Sequence, residues 1–225
     1  MNISIYVQIC REVAINGSER IDSILHTRST RDLGQAQQAT LADAPILQQV
    51  LKGLTSQDDS YRYNCFQVML SLTAEQPARL FSEWDRFAGM LESNNAYHCN
   101  IGLCLLANLT AADTHGKFES ILEKYFSFLN GDSLIPVRYA AQNAGKIACH
   151  EPHLQHRITE ALLGIESSRQ KQKELINTDV IQAFDEYFEQ SDEQDKMLAL
   201  VTAQIGSPSP KTQKAAKTFL KKWTK

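Results

Sequence analysis

With 225 residues, 43% of them hydrophobic and 22% charged, the chain has the composition of a folded globular protein with enough apolar residues for one extended core. A formal net charge of -3 and a pI near 6.1 argue against a general nucleic-acid binder, which needs a basic excess to neutralise phosphates. The N-terminal stretch carries Gln8, Arg11 and Glu12 where a secretory segment is apolar, and the longest apolar run, Ile101 to Ala107, is about a third of a membrane span, so a cytoplasmic chain without membrane contact is expected.

Taken in order, residues 1–43 read as short helices: Ile5, Ile9, Cys10 and Val13 share a face, Ser18 opens a second helix with Ile21, Ile24 and Leu25, and a third runs about Thr30 to Ala42. Pro45 suits a first helical turn, and Ile46, Leu47, Val50, Leu51 and Leu54 mark an amphipathic helix. Ser60 to Ala74 follows a TSQDDS turn, with apolar residues on two faces, as a helix between neighbours requires. The same plan returns as Pro77 to Leu91 and Ala96 to Ala111, and again as a helix around Phe118 to Leu129 followed by Leu134 to Cys149. Pro152 opens another pair whose second helix spans about Ser168 to Gln190, and a last pair joins Asp192 to Ile205 with Pro208 to Trp223. No stretch alternates as a strand does.

The helical pattern repeats. Tyr61 and Tyr97 lie 36 residues apart, as do Asn64 and Asn100, and Arg138 follows His98 by 40. A helical hairpin that recurs at this period cannot bury its apolar face alone and stacks on its neighbours. The expected fold is an all-α, right-handed α-solenoid of about five hairpins in a single domain: a helical cap at 1–43, repeats over 44–206 and a capping helix at 207–225. Five cysteines, Cys10, Cys65, Cys99, Cys104 and Cys149, fall mostly in apolar helical pattern and read as reduced core thiols.

DDSYR at 58–62, NNAYH at 94–98 and DSLIPVR at 132–138 resemble the turn and second-helix start of HEAT repeats, which belong with armadillo-like folds. VRYAAQNAGKIA, FDEYFEQ and the closing SPSPKTQKAAKTFLKKW are similar to small microbial HEAT-repeat proteins of unassigned function. The resemblance implies a ladder in which a turn Asp pairs with the Arg of the second helix: Asp132 with Arg138, and Asp58 or Asp59 with Arg62. His98 departs from that pattern.

Three sets of residues are candidates for function. The second, or B, helices are expected to line a concave wall, where Arg62, Asn64, Gln67, His98, Asn100, Arg138, Gln142, Asn143 and Lys146 recur as polar positions suited to a peptide or partner helix. Two of them, Arg62 and Arg138, double as ladder residues. Lys211, Lys214, Lys217, Lys221 and Lys222 form a basic patch at the C-terminal end, beside an acidic block that includes Asp185, Glu186, Glu189 and Glu193; a solvated end cap is the plainer reading. His150, His153 and His156 are metal candidates by composition, yet Pro152 interrupts them and no zinc spacing is matched, so neither a metal nor a cofactor is expected.

No phosphate loop, nucleophile elbow or catalytic signature is present. The expected function is non-enzymatic: a scaffold that binds an unknown protein or peptide on the concave wall, with nucleic acid unlikely. The alternatives are a nucleic-acid-directed protein akin to the HEAT-like DNA glycosylases, which share the fold expected here, and a metal-binding accessory protein using the histidines.

Overall fold

Short polar turns set the helix ends. In the computed structural model, which describes residues 19, 21–26, 33–167 and 171–224, one turn device recurs. Ser56 Oγ accepts from the Asp58 backbone N–H at 3.1 Å, Ser93 Oγ from Asn95 at 3.1 Å, Ser191 Oγ from Glu193 at 3.1 Å and Ser207 Oγ from Ser209 at 3.3 Å. At each of these turns the next residue but one is the N-cap, and at three of them its side chain makes the capping bond. Asp58 accepts from Tyr61 N–H, Asn95 from Tyr97 N–H and Ser209 from Thr212 N–H, so orphan donors at the helix start are satisfied.

The chain forms two compact units, Met1–Gln76 and Pro77–Lys225. In the first, α1 (Leu33–Ala42), α2 (Ala44–Gly53) and α3 (Asp59–Glu75) follow a helical stretch at 21–26. Helix α3 packs on both α1 and α2, burying Cys65, Val68, Met69 and Leu72 with Ile46 and Val50. The approach of α2 to α3 depends on Gly53, where a β-carbon would run into the Cys65 sulfur and the Tyr61 ring. The helix expected around Ile5 to Val13 lies outside the described residues, as does the start of the one expected from Thr30.

The second unit contains α4 (Pro77–Leu80), α5 (Trp84–Met90), α6 (Ala96–Leu109), α7 (Lys117–Ser127), α8 (Leu134–His150), α9 (Gln155–Leu163), α10 (Lys173–Tyr187), α11 (Gln194–Ala203) and α12 (Pro210–Trp223). The B helices α6, α8, α10 and α12 pack each on the next. Their register is tight between α8 and α10, where a β-carbon on Gly145 would come within 2.6 Å of the Ala183 carbonyl oxygen. Helix α6 is buried continuously from Cys99 to Leu109, and of these residues only Asn100 and Asn108 are strongly polar.

The A helices α5, α7, α9 and α11 are joined by ion pairs: Asp85 to Lys117 (2.9 Å), Glu123 to Arg157 (2.9 Å) and Glu160 to Lys196 (2.7 Å). Beneath them lies an aromatic core. Trp84 meets Phe118 edge-on at 6.4 Å, Phe118 meets Tyr125 at 5.1 Å, and the Tyr125 hydroxyl donates to the Leu103 carbonyl at 2.8 Å. Each such ring buried contributes about 1.5–3 kcal/mol from removal of apolar surface.

Helix boundaries differ from expectation at the A helices. The helix expected over Pro77 to Leu91 breaks into a 3₁₀ turn at Phe81–Glu83, with Glu83 at φ -89°, ψ 4°, and this step turns Trp84 inward to 2% exposure. A similar 3₁₀ turn, Pro152–Leu154, precedes α9. Further on, α10, α11 and α12 begin later than the sequence pattern suggests, with Gln172, Glu193 and Ser209 at the N-cap positions; of these only Ser209 caps its helix with its side chain. Among the described residues no strand occurs, and no helix is long and apolar enough to cross a membrane.

Candidate functional site: the B-helix row

In the first unit, the polar candidates on α3 are engaged locally. Arg62, 8% exposed, donates to the Ser56 carbonyl at 2.7 Å and to Asp59 Oδ1 at 2.5 Å, so the turn pairing with Arg62 is made by Asp59 while Asp58 caps the helix. Asn64 is buried and donates to the Leu25 carbonyl at 2.8 Å. Gln67 is half-buried. Tyr63, on the same helix, is 54% exposed.

In the second unit, His98 Nδ1 lies 3.1 Å from Ser93 Oγ, tying α6 to its own turn. Asn100 is buried, and its Oδ1 has no hydrogen-bond partner among the described residues. The row is then braced helix to helix. Arg138 makes a two-pronged pair with Asp179, Nε at 2.7 Å and Nη2 at 3.0 Å, and Gln142 Nε2 donates to the same carboxylate at 3.0 Å. Lys146 Nζ donates to Asn108 Oδ1 at 2.6 Å, and Asn143 donates to the Tyr139 carbonyl at 2.8 Å and approaches the Cys104 sulfur at 3.7 Å. Planar, forked donation to a carboxylate is the strongest of these geometries.

The ladder therefore runs differently from the resemblance. Asp132 is exposed, and Arg138 reaches instead to Asp179, 41 residues on and 1% exposed. An arginine prefers the carboxylate that the fold has already desolvated, since the burial cost of that anion is offset only when the cation is in place. Asp179, Asn108 and Cys104 were not among the sequence candidates. Their signal is a polar residue set inside an apolar helical run, as in LLANL and NTDVI.

What the row leaves uncovered is apolar as well as polar. Tyr97, near the start of α6, is 56% exposed, and Ile135, near the start of α8, is 45% exposed. Gln142 on α8 and Gln182 on α10 are exposed as well.

The basic end divides. Lys222 pairs with Asp185 at 2.8 Å, lies 4.4 Å from the Trp223 ring centroid, and shares Asp185 with the Trp223 indole N–H at 2.7 Å. Lys211, Lys214, Lys217 and Lys221 are exposed. Lys211 and Lys214 border a cleft of 430 Å³ between α10 and α12.

The histidines are spread among separate partners. His150 Nδ1 contacts Thr110 Oγ1 at 2.8 Å, and burial together with Lys146 holds its pKa down. His153 lies 3.7 Å from the buried Glu151, whose carboxyl is pushed up to about 7, first by burial and then by the charges of Asp113 and Glu119. His156 is 2.6 Å from Glu193. The ligand atoms of His156, Glu160 and Glu193 lie within 4.8 Å of one another, but the Lys196 ammonium already bridges the two carboxylates at 2.7 and 2.8 Å. A metal ion there has to displace a cation of the chain itself.

The thiols are poor nucleophiles. Burial pushes Cys65 up to about 12 and Cys104 up to about 11, and it raises Cys99 and Cys149 as well, so each is protonated at neutral pH. Among the described residues Cys65, Cys99, Cys104 and Cys149 are free.

No protein-family model matches the chain, and no curated protein matches it. Among solved structures, it is similar to the designed armadillo repeat protein YIII(Dq)4CqI, with a TM-score of 0.53 and 14% identity over 90% of this chain and 98% of that one. At that identity the likeness concerns the backbone alone. The chain has an armadillo-like, all-helical repeat fold.

Proposed function

We propose that the protein is a non-enzymatic interaction scaffold whose B-helix row receives a protein partner. The armadillo-like fold is generally used in this way. The observation that supports the reading most directly is the exposure of Tyr97 and Ile135 on successive B helices whose polar side chains are cross-braced through Asp179 and Asn108. Rigid, exposed aromatic and aliphatic side chains make good anchors, because docking on them costs little conformational entropy. Against a DNA-binding reading stand Glu186 on α10 and Glu189 in the 3₁₀ turn that follows it, both exposed and negatively charged.

Gln142 and Lys146 hold the row together, so charge reversal there confuses binding with folding. Affinity capture from the native cell with quantitative mass spectrometry should instead compare wild type with a Tyr97→Ala, Ile135→Ala pair and a Lys217→Glu, Lys221→Glu pair. The partner is expected to be lost from the first and kept by the second. Retention by the first and loss from the second would move the site to the outer face of α12.

A further inference from the structure

We propose that the cleft between α10 and α12 binds an acidic peptide segment carrying one large apolar side chain. This deepens the scaffold reading, on which it rests, by naming the chemistry of the partner. The floor of the cleft is apolar, formed by Ile181, Ala215 and Phe219, and its 430 Å³ has room for one large side chain. The rim on the α12 side is cationic. Lys211 and Lys214 stand there, and neither makes an ion pair among the described residues. Between Ser207 and Thr224 the chain holds no aspartate or glutamate, so nothing on α12 itself offsets these charges.

Asp185, the one carboxylate lining the cleft among the described residues, is already engaged by Lys222 and by the Trp223 indole N–H. A partner therefore meets two unpaired ammonium groups above an apolar floor. Backbone N–H and C=O groups of an extended segment find partners in Gln182 and Thr218 at its walls. By helical period Gln182 lies between Asp179, which faces α8, and Ile181, which faces α12, so the cleft continues the row of braced B helices. Charge complementarity selects an acidic partner for this site and disfavours a basic one.

A peptide fits these observations better than a nucleic acid. A peptide can confine its charge to the two lysines, whereas a phosphate backbone carries charge at every step past Glu186 and Glu189, both exposed on the same helical element and its extension.

The test is selection of a random peptide library on the full chain, followed by fluorescence anisotropy of the enriched peptides. Enriched peptides should combine Asp or Glu with Leu, Phe or another large apolar residue. Their affinity should fall about tenfold or more in a Lys211→Glu, Lys214→Glu variant, as expected for loss of close charge pairs. Ala215→Trp, which fills the floor without changing charge, should produce a similar loss. A Lys217→Glu, Lys221→Glu variant, altered outside the cleft, should stay within about threefold, which separates local pairing from the general field. Circular dichroism must show unchanged helicity for each variant that is compared.

Basic or uncharged peptides, indifference to the Lys211 and Lys214 changes, or tighter binding of a single-stranded DNA oligonucleotide than of the peptides would overturn the proposal. So would sedimentation showing a second copy of the chain in the cleft. Enriched peptides released by the Tyr97→Ala, Ile135→Ala pair but not by the cleft variants would end this proposal while leaving the scaffold reading intact. Enrichment of no peptide would count against both.

Discussion

Gly145 sits where a methyl group has no room, and Gly89 sits where one is free to go. A β-carbon at Gly145 would approach the Ala183 carbonyl oxygen at 2.6 Å and Glu186 Cδ at 2.8 Å, whereas nothing lies within 4 Å of one at Gly89. Alanine is the better helix former at both positions by about 1 kcal/mol. Gly89→Ala should therefore raise stability by up to that amount. Gly145→Ala should lower it by about 1–3 kcal/mol, because backbone rather than a flexible side chain has to yield. Paired urea titrations of the two variants check the sign of each.

A second effect at this scale belongs to Glu151. Its carboxyl is 5% exposed as a residue, one oxygen has no hydrogen-bond partner, and Asp113 and Glu119 add negative charge on one side while His153 stands 3.7 Å away. The folded chain thus holds a proton that the unfolded chain releases above the ordinary value of 4.5. Stability from this group is full below that value, falls as pH rises towards about 7, and stays lost above it. Glu151→Gln should be more stable than wild type at pH 8 by up to about 3 kcal/mol, with the gap closing towards pH 4.5. Denaturation midpoints measured across that range, equal at every pH, would contradict the assignment.

Among the elements, α8 is held to α10 by an unequal pair. Asp179 is 1% exposed, whereas the Arg138 side chain is 32% exposed and can recover water. Arg138→Ala abandons a buried carboxylate to Gln142 and should cost about 3–5 kcal/mol. Asp179→Asn retains an acceptor for the guanidinium and should cost less, about 1–3 kcal/mol. A thermal unfolding series in which the asparagine variant proved the weaker would refute this ordering.

The same elements show what could be read in advance. The B helices were legible because their apolar residues repeat at 3.6 on two faces and a Ser, Asp or Asn marks several starts, as at Asp58, Asn95 and Ser209. The break at Phe81–Glu83 was not, since no Gly or Pro announces it and the contact it serves, Trp84 against Phe118, is made only in the folded chain. Arg138 could be marked as a ladder residue, but its choice of Asp179 over Asp132 depends on which carboxylate the packing desolvates. The α10–α12 cleft was visible only in halves, as lysines in one helix and as Gln182 and Asp185 in another. Sequence pattern carries no distance between them.

Within the larger unit, two sets of interhelical polar contacts differ in chemistry. On the A side, Asp85–Lys117, Glu123–Arg157 and Glu160–Lys196 are largely exposed pairs. Each is worth about 0.2–1 kcal/mol and is screened by salt. On the B side, Arg138–Asp179 is part-buried and is screened less. Raising sodium chloride to molar levels should consequently cost little stability, and Arg157→Ala should shift the midpoint far less than Arg138→Ala does. An equal shift would mean that the exposed pairs contribute more than their solvation allows.

The recurring serine turns have a consequence for how such a chain can change length. Ser56, Ser93, Ser191 and Ser207 each close their own turn, and after Ser56, Ser93 and Ser207 the side-chain cap that follows draws on no distant residue. They behave as a standard coupling: the joint is self-contained, and only the apolar flanks must mate. Lengthening by tandem duplication is then limited by the match between flanks and not by the joints. A duplicated α11–α12 hairpin joined behind the first should add helicity in proportion to its length, and a gain well short of that would place the limit in the turns after all.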